Sequence, residues 1–360
     1  MARIDAFFKL VHEQKASDLH LVAGQQPVLR IRGDLERVKY RVLENDELKG
    51  MLYEITSEDK IKVFEETGDV DFAYEIPGLA RYRANFYQHK DGIGAAFREI
   101  PSEILTVDQL GLPQVVGRLA MLPRGLVLVT GPTGSGKSTT LAAIIDEANR
   151  KRKDHIITVE DPIEFVHESK NCVINHREVF THTRSFATAL RGALREDPDI
   201  ILVGEMRDLE TISLAIEAAA TGHLVFSTLH TTSAPKTVDR IIEVFPENQQ
   251  LQIRSMLADG IRAVIAQGLF KRIDIPGRIC CPEILIATHA VRALIRENKT
   301  YQIPTAIQTG KKYGMQSLDD AIMGHLKAHR ISSEEAYMKC EDKEKFRPFL
   351  RTPPADFTEV

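Results

Sequence analysis

The chain has few cysteines and no long apolar run. Only four of its 360 residues are cysteine, and no two of them form a C-x-x-C pair. This usage does not suit a zinc site and favours a reducing compartment, so we expect a cytoplasmic protein. No window approaches the ~18 uncharged apolar residues of a membrane-spanning helix, and the first residues lack the apolar core of a signal peptide. We therefore expect membrane contact only through partners.

A surplus of positive charge is also missing. The formal net charge is -4, and charged residues make up 27% of the chain. A protein that binds nucleic acid usually carries a basic surface, so we expect no nucleic-acid partner. A hydrophobic content of 43% is typical of a globular protein rather than a disordered one, and the length predicts two domains.

Residues 1–100 are predicted to form a small α+β domain. Apolar and polar residues alternate there around Pro-Gly and Asp-Gly turns, which is typical of antiparallel strands. The predicted helices are 1–14 and 45–66, and the predicted strands are 19–22, 28–31, 71–76, 81–88 and 93–100. Residues 101–117 contain Pro101, Gly111 and Pro113 and are predicted to be a linker.

Residues 118–360 are predicted to form a second, α/β domain. Apolar strands alternate with helices in its first half, which indicates a parallel sheet covered by helices. The predicted strands are 126–130, 155–159, 200–203 and 224–228, and the predicted helices are 138–149, 185–196 and 209–220. After about residue 235 the pattern predicts a mostly helical region.

A complete phosphate-binding motif, G-x-x-x-x-G-K-[ST], lies at residues 131–138 between a predicted strand and a predicted helix. Its glycines allow backbone N–H groups to surround phosphate oxygens. Lys137 would reach the β- and γ-phosphates, and the Ser138 hydroxyl would bind Mg²⁺. The predicted cofactors are therefore ATP and Mg²⁺. The predicted nucleotide-binding residues are Gly131, Pro132, Thr133, Gly134, Ser135, Gly136, Lys137, Ser138 and Thr139.

Three further predicted strands end in polar residues that could serve hydrolysis. Ligands of open α/β sheets lie at the carboxyl ends of the strands. Glu205 is predicted to activate the attacking water, because Gly204 stands where a metal-binding aspartate is usual. Glu160 and Glu164 would hold water around Mg²⁺, with a solvated turn as the alternative. His230 would sense the γ-phosphate or be structural.

Four segments of the chain resemble, in this order, motifs of the secretion ATPase superfamily. They are the phosphate loop and residues 158–164, 194–208 and 227–231. They look like its Walker A motif, aspartate box, atypical Walker B motif and histidine box. Residues 16–21 and 290–297 are similar to the members that retract type IV pili. Those members usually have Asn at the position of Ala293.

The resemblance implies a PAS-like N-terminal domain and a RecA-like ATPase domain with a helical C-terminal part. It implies a homo-hexameric motor that couples ATP hydrolysis to pilus retraction and twitching motility. Such a motor docks on the inner-membrane platform protein at the base of the pilus. The open alternatives are a pilus-assembly or type II secretion ATPase, a nucleotide-gated scaffold of the pilus machine and, less favoured by the charge, a ring DNA translocase.

The resemblance also implies that arginines of the N-terminal domain contact the nucleotide phosphates. The matching positions are Arg83 and Arg98. A guanidinium group suits phosphate oxygens geometrically, whereas the alternative for either residue is an ion pair on the sheet surface. Four more arginines are candidates near the site without an assigned role: Arg81, Arg191, Arg195 and Arg207.

Overall fold

The computed structural model describes residues 2–31, 33–100 and 103–350, and their contacts divide the chain into two units. The first unit comprises Met1–Glu103 and Asp161–Val166, and the second comprises Ile104–Glu160 and His167–Val360. Of the predicted linker, Pro101 and Ser102 lie outside the described residues, as do Met1, Arg32 and residues 351–360 of the predicted domains. Residues 104–117 group with the second unit, because apolar side chains such as Val107 and Val116 are buried in its core.

The first unit is a six-stranded antiparallel sheet with helices. Its helices are α1 (Asp5–Glu13), α2 (Asn45–Tyr53) and α3 (Glu58–Thr67). Its strands are β1 (Asp18–Val22), β2 (Val28–Ile31), β3 (Asp34–Arg37), β4 (Asp69–Ile76), β5 (Ala80–His89) and β6 (Gly92–Ile100). The strand order is β3-β2-β1-β6-β5-β4. Every second residue from Ala80 to Phe86 is buried, as expected for a sheet with one face in a core.

Two features of the first unit differ from the prediction. The predicted helix 45–66 is two helices, because the backbone of Ser57 is extended and α3 starts after it. Just before this break, the Thr56 hydroxyl donates to the carbonyl of Leu52 at 2.8 Å. Strand β3 was not predicted, since all four of its residues are exposed and give no apolar alternation.

The second unit is a seven-stranded sheet with helices around it. Its strands are β7 (Gly125–Thr130), β8 (His155–Glu160), β9 (Val173–Glu178), β10 (Ile200–Val203), β11 (Leu224–Leu229), β12 (Ile261–Lys271) and β13 (Arg278–Ile286). Its α-helices are α4 (Gln114–Leu119), α5 (Lys137–Lys151), α6 (Phe186–Ala193), α7 (Leu209–Thr221), α8 (Ala234–Glu243), α9 (Glu247–Gly260), α10 (His289–Arg296), α11 (Ile303–Thr309), α12 (Leu318–Lys327), α13 (Ser333–Lys339) and α14 (Lys343–Phe346). Short 3-10 helices cover Thr300–Gln302, Lys311–Tyr313 and Arg347–Phe349.

The order of the strands in this sheet is β13-β12-β7-β11-β10-β8-β9. All neighbours are parallel except β12 and β13, which form an antiparallel hairpin. The central strands β7 and β11 are buried along their whole length, as expected when helices cover both faces. Non-consecutive neighbours such as β7 and β11 bring residues that are distant in sequence to one sheet edge.

The α/β fold class is confirmed, but the region after residue 235 contains two long strands that were not predicted. β12 and β13 are buried on both faces, so they lack the polar–apolar alternation that marks a half-buried strand. The edge strand β9 was also missed. Among the described residues, no helix has both the length and the apolar content needed to span a membrane. All four cysteines are buried free thiols.

Candidate active site

The phosphate loop connects the end of β7 to the start of α5, so the helix begins at Lys137. The loop needs glycine at two places for different reasons. A Cβ atom on Gly131 would lie 2.3 Å from the carbonyl oxygen of Gln267, and Gly136 has a φ of +88°. The N-terminus of a fifteen-residue helix carries unpaired N–H groups and a partial positive charge. The loop therefore has the shape and polarity of an anion site.

Polar side chains of the loop lie close to its backbone. The ammonium group of Lys137 donates to the carbonyl of Gly131 at 2.9 Å and to that of Pro132 at 3.2 Å. Pro132, Thr133 and Gly134 are exposed, and the predicted Mg²⁺ ligand Ser138 is half-buried in the first turn of α5 together with Thr139. Ligand phosphates could thus approach the loop from the solvent side.

Glu205 and His230 follow the neighbouring strands β10 and β11, and their side chains meet. The Nε2 atom of His230 is 3.0 Å from Oε1 of Glu205, and Nη2 of Arg207 is 2.7 Å from Oε2. Burial raises the pKa of Glu205, but the hydrogen bonds and charges of Arg207 and His230 outweigh it, so the net pKa is lowered. The carboxyl group is therefore held ionised, as a base requires.

Strand β11, which His230 follows, also forms two side-chain hydrogen bonds to the end of β10. The hydroxyl of Ser227 donates to the carbonyl of Val203, and the hydroxyl of Thr228 donates to that of Gly204, both at 2.7 Å. Gly204 lies so close to β8 that a Cβ atom would sit 3.3 Å from the Cα atom of Glu160. The lack of a side chain at residue 204 therefore lets the ends of β8 and β10 approach each other.

The structure assigns the two predicted aspartate-box glutamates to different units. Glu160 ends β8 in the second unit, with its Oε1 atom 3.9 Å from Nδ1 of His176. The same ring nitrogen is 2.8 Å from the hydroxyl of Thr158. His176 is thus a neighbour of Glu160 that the sequence pattern did not assign. Glu164 belongs to the Asp161–Val166 segment of the first unit.

Arg83 and Arg98 are paired with carboxylates of the first unit. Arg83 donates to both oxygens of Asp71, at 3.4 and 2.8 Å, and Arg98 donates to Asp18 at 2.8 Å. The hydrogen bond that Arg83 donates to Asp71 is the main cause that raises the pKa of Arg83, and the charges of Asp71, Glu164 and Asp161 add to it. Both guanidinium groups are thus held by acidic partners in this structure.

Two of the four other candidate arginines pair with carboxylates of their own unit. Arg81 lies 3.2 Å from Glu75 and Arg191 pairs with Glu210. Arg207 contacts Glu205 and so lies with the residues at the sheet edge. Gln267 was missed altogether: it is 4% exposed and hydrogen-bonds to the phosphate loop from β12. A buried glutamine in an unpredicted strand gave no signal in the sequence.

Comparisons with known proteins find similar sequences among secretion and pilus proteins. Residues 105–335 match the family model described as type II/IV secretion system protein. The type IV pilus retraction ATPase PilT of Pseudomonas aeruginosa is 53% identical over 93% of this chain and 97% of its own length. A twitching motility protein of Neisseria gonorrhoeae is 49% identical over 90% of this chain and 86% of its own.

A solved structure extends the similarity to the fold. The crystal structure of the pilus retraction motor PilT with bound ADP superposes with a TM-score of 0.86 at 43% identity. The match covers 96% of this chain and 98% of that one.

Proposed function

This chain belongs to the type II/IV secretion system protein family and is an ATPase, and we propose that it is the motor that retracts type IV pili. The observation that most supports the motor's ATP hydrolysis is one edge of the sheet. There the phosphate loop, His230 and Glu205 follow the neighbouring strands β7, β11 and β10. That edge has the parts needed for ATP hydrolysis. Relatives that match over most of the chain are named for pilus retraction and twitching motility.

Residues 131–139 hold the phosphates of ATP in this proposal. The glycines keep side chains out of the cradle, as the close approach at Gly131 illustrates. Lys137, which now donates to two loop carbonyls, turns its ammonium group toward the β- and γ-phosphates. A solved relative, the pilus retraction motor PilT, has bound ADP, which supports a nucleotide as the ligand of this chain.

The Ser138 hydroxyl fits a Mg²⁺ ion. The first turn of α5 places this half-buried hydroxyl next to Lys137. Among the residues that the structure describes, no three His, Cys, Asp or Glu side chains converge into a metal site, so the nucleotide and water would supply the other ligands. Bound Mg²⁺ neutralises charge on the phosphate oxygens.

Glu205 acts as the base that orients and deprotonates the attacking water. Its lowered pKa keeps the carboxyl group in the ionised form, which is the form that can act as a base. His230 fixes one carboxylate oxygen at 3.0 Å and links that oxygen to the end of β11, next to β7 and its phosphate loop. His230 therefore reports whether the γ-phosphate is present. Glu160 and Glu164 would hold water molecules around a bound Mg²⁺ ion.

Arg83 and Arg98 stabilise the transferred phosphoryl group. Their present partners Asp71 and Asp18 orient the guanidinium groups, and a phosphate would replace a carboxylate as the acceptor. After hydrolysis, release of the contacts between these arginines and the phosphate would supply the conformational change that drives the motor.

The working assembly that we propose is a cytoplasmic homo-hexamer. It docks on the inner-membrane platform protein at the base of the pilus and acts on the membrane only through that partner. A pilus-assembly or type II secretion ATPase remains the second candidate, because the matching family model covers type II as well as type IV systems.

Glu205→Gln tests the chemistry. The substitution keeps the shape of the side chain but removes the base, so ATP binding should persist while hydrolysis falls at least ~10²-fold. Glu217→Gln, an exposed change on α7, is the matched control and should hydrolyse ATP normally. Lys137→Ala should abolish hydrolysis through loss of phosphate binding.

Glu205→Gln and Lys137→Ala should also fail to restore twitching in a bacterium that lacks its retraction motor. The parent chain and Glu217→Gln should restore it. Normal hydrolysis by Glu205→Gln together with loss in Glu164→Gln would exchange the two roles. Full hydrolysis without restored twitching would favour the assembly or secretion ATPase.

A further inference from the structure

Gln267 lies under the phosphate loop at the point where β12 passes the end of β7. The preceding residue, Ala266, pairs with Thr130, the last residue of β7. Gln267 is 4% exposed. Burial of an amide side chain destabilises the fold unless the amide is hydrogen-bonded. The hydrogen-bond partners of its two polar atoms therefore indicate the role of this residue.

Both ends of the Gln267 amide bind the nucleotide-binding segment. Its Nε2 atom donates to the carbonyl of Ser135 at 2.7 Å, and its Oε1 atom accepts from the hydroxyl of Thr140 at 3.0 Å. The orientation of the amide follows from chemistry, since a carbonyl oxygen can only accept and must face the NH₂ group. One side chain thus connects the middle of the loop to the first turns of α5.

The backbone of Gln267 supports the loop as well. Its carbonyl oxygen would be 2.3 Å from a Cβ atom on Gly131, and its Nε2 atom 3.3 Å from one on Gly136. The first and the last glycine of the loop therefore both fit against this one residue. Any shift of Gln267 would have to move the loop with it.

We propose that Gln267 is a positioning residue that holds the phosphate loop in its nucleotide-binding shape before the nucleotide arrives. It acts through Ser135 and Thr140 and does not touch the nucleotide itself. Loop N–H groups that are already aimed at the phosphates avoid an ordering cost on binding. The residue also ties the loop to the β12–β13 hairpin. The inference rests on the proposed nucleotide-binding role of residues 131–139.

Gln267→Met tests the inference, because methionine keeps the length of the side chain and removes both hydrogen bonds. The matched control is Gln316→Met. Gln316 donates to the carbonyl of Pro282 at 2.8 Å, and Pro282 is the strand partner of Gln267, so the control loses a hydrogen bond on the same hairpin without touching the loop. ADP titration by calorimetry and thermal unfolding without nucleotide are measured for each protein.

We expect Gln267→Met to bind ADP about tenfold more weakly than the parent, the loss typical of a hydrogen-bonding contribution of this size. Gln316→Met should bind ADP like the parent even if its unfolding temperature falls. Thr140→Val is a second, uncharged variant that removes only the hydroxyl that donates to Oε1 of Gln267. It should also weaken ADP binding, and it decides the question if the methionine variant does not fold.

Equal ADP affinity in the parent and in each of Gln267→Met and Thr140→Val that folds would overturn the inference and leave the proposed function intact. A fall in unfolding temperature without a change in affinity would have the same meaning, since a purely structural residue would give that result. A parent chain that does not bind ADP would overturn the proposed function and this inference together.

Discussion

At the scale of single residues, Glu283 is an unusual carboxyl group. It is 6% exposed on β13, and its Oε1 atom accepts from the N–H of Ala234, the first residue of α8, at 2.7 Å. Burial raises the pKa of Glu283 to about 7, against a lowering by this hydrogen bond, and the charge of Glu341 adds to the rise. The folded protein therefore binds this proton more tightly than the unfolded chain does.

We predict that Glu283 makes the protein less stable as the pH rises. The stabilising contribution of a raised carboxyl pKa is complete below the ordinary value of 4.5 and is lost as the pH rises through about 7. Glu283→Gln keeps an acceptor for Ala234 without a charge, so it should remove this trend. Urea unfolding midpoints at pH 5, 6, 7 and 8 should show the variant gaining on the parent as the pH rises.

The control for this prediction is Glu297→Gln, at an exposed carboxylate that pairs with Lys299. The pKa of Glu297 is lowered by that partner, so its removal should not reproduce the trend. A constant difference between Glu283→Gln and the parent across this pH range would contradict the assigned environment of Glu283.

Residues at strand ends could be placed from the sequence, whereas their supporting contacts could not. Short motifs put Glu205 and His230 after apolar runs, and the structure brings them within 3.0 Å. Gln267 and His176 reach the site from β12 and β9, two strands that were not predicted. Their role depends on which strands are neighbours in the sheet, and a local pattern in the sequence does not contain that order.

At the scale of secondary structure, short apolar runs between polar segments were predicted as strands, whereas the longer apolar segments after residue 235 were not. Strands β7, β8, β10 and β11 carry apolar runs between polar segments, and the structure places them within a residue or two of the prediction. β12 is just as apolar, but at eleven residues its length is also compatible with a buried helix. The β12–β13 hairpin could therefore be recognised only from the antiparallel pairing of its two strands in the structure.

Helix α10 includes residues 290–296 of the segment 290–297, which is similar to the members that retract type IV pili. Its side chains Val291 and Ile295 are fully buried, which agrees with an apolar face that anchors the helix. Arg296 lies on another face, 2.9 Å from Asp259 of α9, and this arginine side chain is 45% exposed. An exposed ion pair of this kind contributes only ~0.2–1 kcal/mol to stability, so the cation at residue 296 is available for a partner.

We predict that Arg296→Gln impairs pilus retraction while purified ATPase activity stays largely intact. The reason is that, in the proposed function, this positive charge would contact a partner, and it lies far in sequence from the phosphate loop. Asp259→Asn is the matched control, because it breaks the same ion pair and leaves the cation in place. Retraction in cells and ATPase activity are measured for both variants. Equal loss of retraction in the two variants would assign the effect to the ion pair instead.

At the scale of the whole molecule, the two units are not two continuous stretches of sequence. The segment Asp161–Val166 follows β8 of the second unit but belongs to the first. Ile163 and Phe165 in this segment are only 5% and 7% exposed. A single boundary near residue 103 would therefore separate these apolar side chains from the unit to which they belong.

We predict that a fragment of residues 104–350 exposes an apolar patch at Ile163 and Phe165. Contiguous exposed apolar surface promotes association, so the fragment should bind a hydrophobic dye and form oligomers of irregular size in light scattering. The double substitution Ile163→Ser and Phe165→Ser should reduce both effects in the fragment. In the full chain the same substitutions remove buried apolar side chains and should lower the unfolding temperature. This opposite response is the decisive comparison: a monodisperse fragment that binds no dye would mean that the segment packs equally well without residues 1–103.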